Sequence, residues 1–254
     1  MDVASGRAYV ITRIIGIDCA TAPAMVGIAC LDWGTNRALD IAVPMRSRIP
    51  HEIIFELLEA GHRTLLALDA PLGWPTELKR ALTSHSAGEP IDIPSNLLFR
   101  RATDRFVKER LGKQPLDVGA DRIARTAHAA LGLLGGVSVD PIGLAWSPDF
   151  DARVAAIEVY PAGTLVAHGL PSARYKRPDQ RAVRATIVAE LRRRIPMPDH
   201  DEVMLTSADA LDAAICVLAG VDFLEGRVFP PRDVDVARRE GWIWVADPAR
   251  VRDA

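Results

Sequence analysis

The chain has 254 residues, 49% of them hydrophobic and 25% charged, with a formal net charge of -2. That length suits one large domain and that composition an ordinary globular protein. The charge balance excludes wholesale electrostatic attraction to nucleic acid but leaves room for a local basic groove. Cys19, Cys30 and Cys216 are scattered and form no CxxC pair, so neither a disulfide framework nor a cysteine zinc site is expected. Reduced thiols suit the cytoplasm, the expected location. Arg13 interrupts the short apolar stretch near the N-terminus, which argues against a signal peptide. No run reaches the roughly 18 apolar residues needed to span a bilayer.

Residues 8–18 read as a strand, apolar on both faces near its end and therefore central. Strands at 24–31 and 37–43 follow, joined by the turn-rich Asp32-Trp33-Gly34-Thr35-Asn36 as a meander. Pro50 opens a helix that repeats Ile53, Ile54, Leu57 and Leu58 on one face. Residues 64–69 form the next strand, parallel to the first after the helical crossover. From 71 to 150 the pattern is broken by Pro71, Gly73, Pro75, Pro90 and Pro94, with helices near 98–110 and 119–134. This segment reads as a mostly helical insertion after the fourth strand, lying over one end of the sheet. A fifth strand at 153–158, helices near 162–168 and 179–195, and a last helix at 207–225 complete the domain. Residues 226–254 read as an irregular C-terminal tail with a short apolar strand at 242–245, a candidate interface. The order predicts an α/β fold: a mixed five-stranded, ribonuclease H-like sheet flanked by helices in one domain spanning 1–254.

Acidic residues stand where apolar runs end. Asp18 closes Ile14-Ile15-Gly16-Ile17, Asp69 closes Leu65-Leu66-Ala67-Leu68, and Glu158 follows Val154-Ala155-Ala156-Ile157. Asp209 and Asp212 are neighbours on one face of the last helix, among Ala208, Ala210, Leu211, Ala213 and Ala214. A carboxylate at a buried strand end is costly to desolvate unless paired, and several together repel unless a divalent cation binds them. The expected site therefore uses Asp18, Asp69 and Asp212 as catalytic metal ligands, with Glu158 and Asp209 as further ligands and Mg²⁺ or Mn²⁺ as the ion. Each has a plainer reading: Asp18 as a turn residue, Asp69 as a cap for the Pro71 turn, Asp209 and Asp212 as a solvated helix face with Asp209 also a cap near Ser207, Glu158 as the partner of an arginine.

Arg101 and Arg105 share one face of a helix and are expected to clamp phosphate oxygens, with an ion pair to Asp104 as the competing reading. Trp74 either stacks on a substrate ring or covers core. Arg174, Lys176 and Arg177 read as a surface cluster, with contact to a phosphate backbone as the alternative. His128, within an apolar helix, reads as a core residue.

Gly16-Ile17-Asp18-Cys19-Ala20, Asp69-Ala70-Pro71-Leu72-Gly73-Trp74-Pro75, Arg101-Ala102-Thr103-Asp104-Arg105, Glu158-Val159-Tyr160-Pro161-Ala162 and Ser207-Ala208-Asp209-Ala210-Leu211-Asp212-Ala213 occur in this order over residues 14–225. In these pieces the chain resembles the domain of unknown function 429 family, described as predicted nucleases of ribonuclease H-like fold. The resemblance implies metal-dependent phosphodiester hydrolysis, with nucleic acid or a phosphorylated small molecule as partner. An actin-like or sugar-kinase phosphotransferase is the competing enzyme reading, since Gly16-Ile17-Asp18 with Thr21 is similar to a phosphate loop. A non-catalytic binding domain of the same fold is the third.

Overall fold

The computed structural model describes residues 12–42, 48–59, 62–119, 121–138 and 140–252. Positions 8–11 and 43 of the expected strands lie outside them. Strand β1 (Thr12–Asp18) is buried at all seven positions, as its apolar run requires. It pairs antiparallel with β2 (Gly27–Trp33), which starts later than expected because Pro23–Met25 form a 3-10 turn. Strand β3 (Asp40–Ala42) is a short antiparallel edge. Helix α1 (Pro50–Glu59) crosses to β4 (Arg63–Asp69), which pairs parallel with β1 and places Asp18 directly opposite Asp69.

Between β4 and the next long strand lie α2 (Thr76–Leu82), α3 (Ser95–Leu98), α4 (Ala102–Leu111), α5 (Asp121–Gly136) and a two-residue strand β5 (Gly143–Leu144). Strand β6 (Val154–Glu158) then enters beside β4. Helices α6 (Pro161–Ala167), α7 (Arg181–Leu191), α8 (Glu202–Thr206) and α9 (Ala208–Leu224) follow. The chain closes with α10 (Val234–Glu240) and α11 (Pro248–Arg252).

The fold is thus a mixed α/β sheet of six strands, in the order β3-β2-β1-β4-β6-β5, where five were expected. The additional strand β5 is too short to carry a periodic signal. Helices cover both faces. On one, Ile53 and Ile54 of α1 and Leu133 and Leu134 of α5 pack against Ile15, Ile17, Leu66 and Leu68. On the other, α9 lies against Ile14, Leu65 and Ala67. It is buried along nearly its whole length because α6, α7 and α8 enclose its outer side.

Two glycines seat α9. A Cβ on Gly16 would stand 2.2 Å from the Ala213 carbonyl oxygen, and one on Gly27 would stand 2.0 Å from that of Asp209. Only a residue without a side chain lets the helix backbone come this close to the sheet. The contact fixes the height of Asp212 above the strand ends.

The C-terminal segment differs from expectation. Trp242, Ile243, Trp244 and Val245 are all buried, so they are core and not an exposed interface. Their ladder amounts to isolated bridges, Glu158 to Ile243 and Val228 to Ala246. No helix among the described residues is long and apolar enough to cross a membrane.

Candidate functional site

Asp18 and Asp69 end neighbouring parallel strands in register, and the pleat points both to the face that carries α9. From that helix Asp212 descends between them. One carboxylate oxygen from each of the three lies within 4.8 Å of the others. Asp18 and Asp212 are buried, and Asp69 is partly so. Asp209, one helical turn before Asp212, is half-buried beside Asp18 but outside this triad.

Burial pushes the Asp18 carboxyl well above the usual range, and the charges of Asp212 and Asp69 push it further. Burial raises Asp69 to about 7, opposed by the nearby Lys176 ammonium. Asp212 and Asp209 are raised too, again by burial first. These shifts describe one crowded set of carboxylates that cannot all carry charge without a cation.

Sequence reasoning missed the groups that meet Asp212. Tyr175 donates its hydroxyl to Asp212 Oδ1 at 2.7 Å, and the Lys176 ammonium pairs with Oδ2. Lys176 is therefore not a plain surface charge. Burial works against its ammonium, but Asp212, Asp69 and Asp18 outweigh that and raise its pKa. Half of its side chain, 55%, remains in solvent. The segment is turned inward at Arg174, whose φ of 62° lies in the left-handed region that non-glycine residues seldom adopt. Buried Arg184 of α7 holds the turn, donating to the carbonyls of Tyr175 at 2.7 Å and Arg177 at 2.8 Å. The one available signal was chemical: an acid cluster this dense needs a cation, and Tyr175-Lys176 in a basic stretch is a source.

Glu158 does not join the triad. It pairs with Leu68, one position short of Asp69, so strand alternation turns it to the other face. There Arg101 grips it twice, NH1 to Oε2 at 2.7 Å and NH2 to Oε1 at 2.6 Å, and the Leu72 amide donates to Oε2 at 2.9 Å. Arg101 also meets Asp104 at 2.9 Å and the Glu240 carbonyl at 3.2 Å. At 1% exposure its donors are spent within the protein, which replaces the expected phosphate clamp with the Asp104 and Glu158 ion pairs. Glu240 ties the same corner by accepting from the amides of Thr76 and Ala102, both at 2.7 Å.

The other expected substrate contacts lie elsewhere. Arg105 donates to the Arg100 carbonyl at 2.5 Å and does not line the acid cleft. Trp74 is half-buried and also outside its wall. His128 is exposed on α5 and is not a core residue. The cleft holds about 240 Å³ and is walled by the three strand-end acids, Pro115, Leu116, Tyr160 and Lys176.

The arrangement suits a hard cation with oxygen ligands. Asp212 Oδ2 is fully buried and, despite the ammonium beside it, takes part in no hydrogen bond of normal geometry among the described residues. A model of the family described as protein of unknown function (DUF429) matches residues 16–236. No curated protein and no solved structure matches the chain.

Proposed function

The chain belongs to the DUF429 family, and on the convergence of its three aspartates we propose that it is a metal-dependent phosphodiester hydrolase of nuclease type. The observation that carries this reading is the placement of Asp18, Asp69 and Asp212, from two strands and a helix, with ligand atoms within 4.8 Å. The residues fit a divalent ion: all three donors are carboxylates, and one buried oxygen lacks a hydrogen bond. Asp18, Asp69 and Asp212 would hold Mg²⁺ or Mn²⁺, with Asp209 beside them. Such ions supply an activated water and charge stabilisation for the leaving oxygen.

The chain's own groups do the rest. Tyr175 fixes the rotamer of Asp212 through its hydroxyl. Lys176 reaches the cleft on a flexible stem and offers its ammonium to a phosphate oxygen once Asp212 is otherwise occupied. Arg101, a buried part of the cleft wall, locks β6, α4 and the loop after Asp69 to one another. Tyr160 and Leu116 form part of the cleft wall.

A sugar-kinase-type phosphotransferase needs two such sheets facing a cleft, and the described residues form one sheet. The test is calorimetric titration of Mn²⁺ into wild type and Asp18→Asn, with turnover on single-stranded and duplex nucleic acids measured on the same samples. Uptake and cleavage by wild type, both lost in the variant, are expected. Uptake without cleavage would favour a binding domain, and no uptake would make the acids structural.

A further inference from the structure

Beside the acid cleft opens a second cavity of about 360 Å³, and Cys19 is a wall of both. Cys19 follows Asp18 in the chain, so the two spaces meet at a ligand of the proposed metal site. The second cavity is lined by Pro23, Val26, Ile49 and Leu133, with His51 and His128 as ring-bearing polar groups. No Lys, Arg, Asp or Glu among the described residues lines it, and its polar groups are the Thr21 hydroxyl and the two imidazoles. Ile49 at its edge is 47% exposed, an apolar side chain that the described residues leave partly uncovered.

Helix α5 runs along both spaces. Ile123 and Thr126 face the acid cleft, while His128 and Leu133 face the apolar cavity. At the helical rise, the ten steps from Ile123 to Leu133 cover roughly 15 Å. Carboxylates and an ammonium thus line one space, and an uncharged, ring-sized chamber lies next to it across the shared Cys19 wall.

We propose that the apolar cavity receives the base of an unpaired nucleotide whose phosphate lies at Asp18, Asp69 and Asp212. The assignment rests on the hydrolase reading and narrows its substrate. The volume is that of a small-molecule site, lined by apolar groups with a few polar ones. His51 and His128 present ring nitrogens to the edge of a base. A base stacked within a duplex cannot enter such a chamber, so the substrate is a nucleotide or a single strand with one base splayed out.

Gly132 lines this cavity on the exposed side of α5, and a Cβ built there meets nothing within 4 Å. Gly132→Phe adds a ring at the cavity wall where the space is open and replaces a helix-interior glycine with a better helix former, and its melting temperature checks that it folds. With Mn²⁺ present, calorimetry on wild type should show adenosine monophosphate binding roughly tenfold tighter than ribose 5-phosphate, the scale of one stacked base. Gly132→Phe should erase that gap and leave Mn²⁺ uptake unchanged. Equal binding of the two ligands by wild type, or a gap that survives in the variant, overturns the subsite. Loss of Mn²⁺ uptake by wild type instead overturns the hydrolase reading. A single-stranded oligonucleotide bound more tightly than the mononucleotide identifies a strand as the source, and the reverse order identifies a free nucleotide. A duplex bound as well as the single strand rules the proposal out.

Discussion

Glu158 and Asp104 are buried to 3% and 0%, and one fully buried guanidinium, Arg101, satisfies both with bidentate geometry. Asp18 and Asp69 of the same cleft and Asp212 beside them share, among the described residues, a single ammonium, from a lysine whose side chain is half in water. Both groups are strand-end or helix carboxylates desolvated by the same sheet. The first is balanced from within and holds elements together. The second is left short of positive charge, the condition under which a protein binds a cation. Charge compensation, more than burial or residue type, separates structural acid from site acid here.

The contrast can be broken most forcefully at Arg101. Arg101→Met leaves Glu158 and Asp104 buried without a countercharge and should cost about 3–5 kcal/mol, the usual result of halving a buried ion pair. Denaturant unfolding of wild type and variant measures it, and a loss under about 1 kcal/mol would remove the structural side of the comparison. Lys176→Met should behave differently. With half of that side chain already solvated, the metal-free protein should lose no more than about 1 kcal/mol. Mn²⁺ affinity should rise because the competing ammonium is gone, and weaker Mn²⁺ binding would show that Lys176 builds the metal site.

The pH dependence probes the crowded acids themselves. Asp69 has its pKa raised from 3.8 to about 7 in the folded state. The protonated form is favoured by folding, so the stability it contributes is complete below 3.8 and is lost as pH rises through about 7. Asp18 and Asp212 shift in the same direction. Melting temperature in chelator should therefore fall between pH 4 and pH 8, and added Mn²⁺ should flatten the slope. A chelated protein that gains stability over that range would contradict the crowded-acid description.

Much of this was legible along the chain. Apolar runs ending in aspartate marked β1 and β4, and the almost entirely apolar neighbours of Asp212 marked a helix buried on most sides. The fate of Glu158 was not legible, because its run ends in the same way as those before Asp18 and Asp69. Only the register with β4, one residue short, turned it to Arg101. Nor could local pattern show Lys176 facing inward, since that depends on a left-handed residue at Arg174 and on Arg184 reaching back from another helix. The buried Trp242–Val245 run was visible as apolar but not as core.

What the sequence by itself determined was which segments become strands and helices and which of them end in acid, because side-chain periodicity and the cost of burying charge act over a few neighbouring residues. Which acids meet, which are neutralised and which face the cleft was decided only in three dimensions. Strand register, the glycine seats under α9 and the inward turn at Lys176 each join positions far apart in the chain, and no local pattern encodes a distance between them.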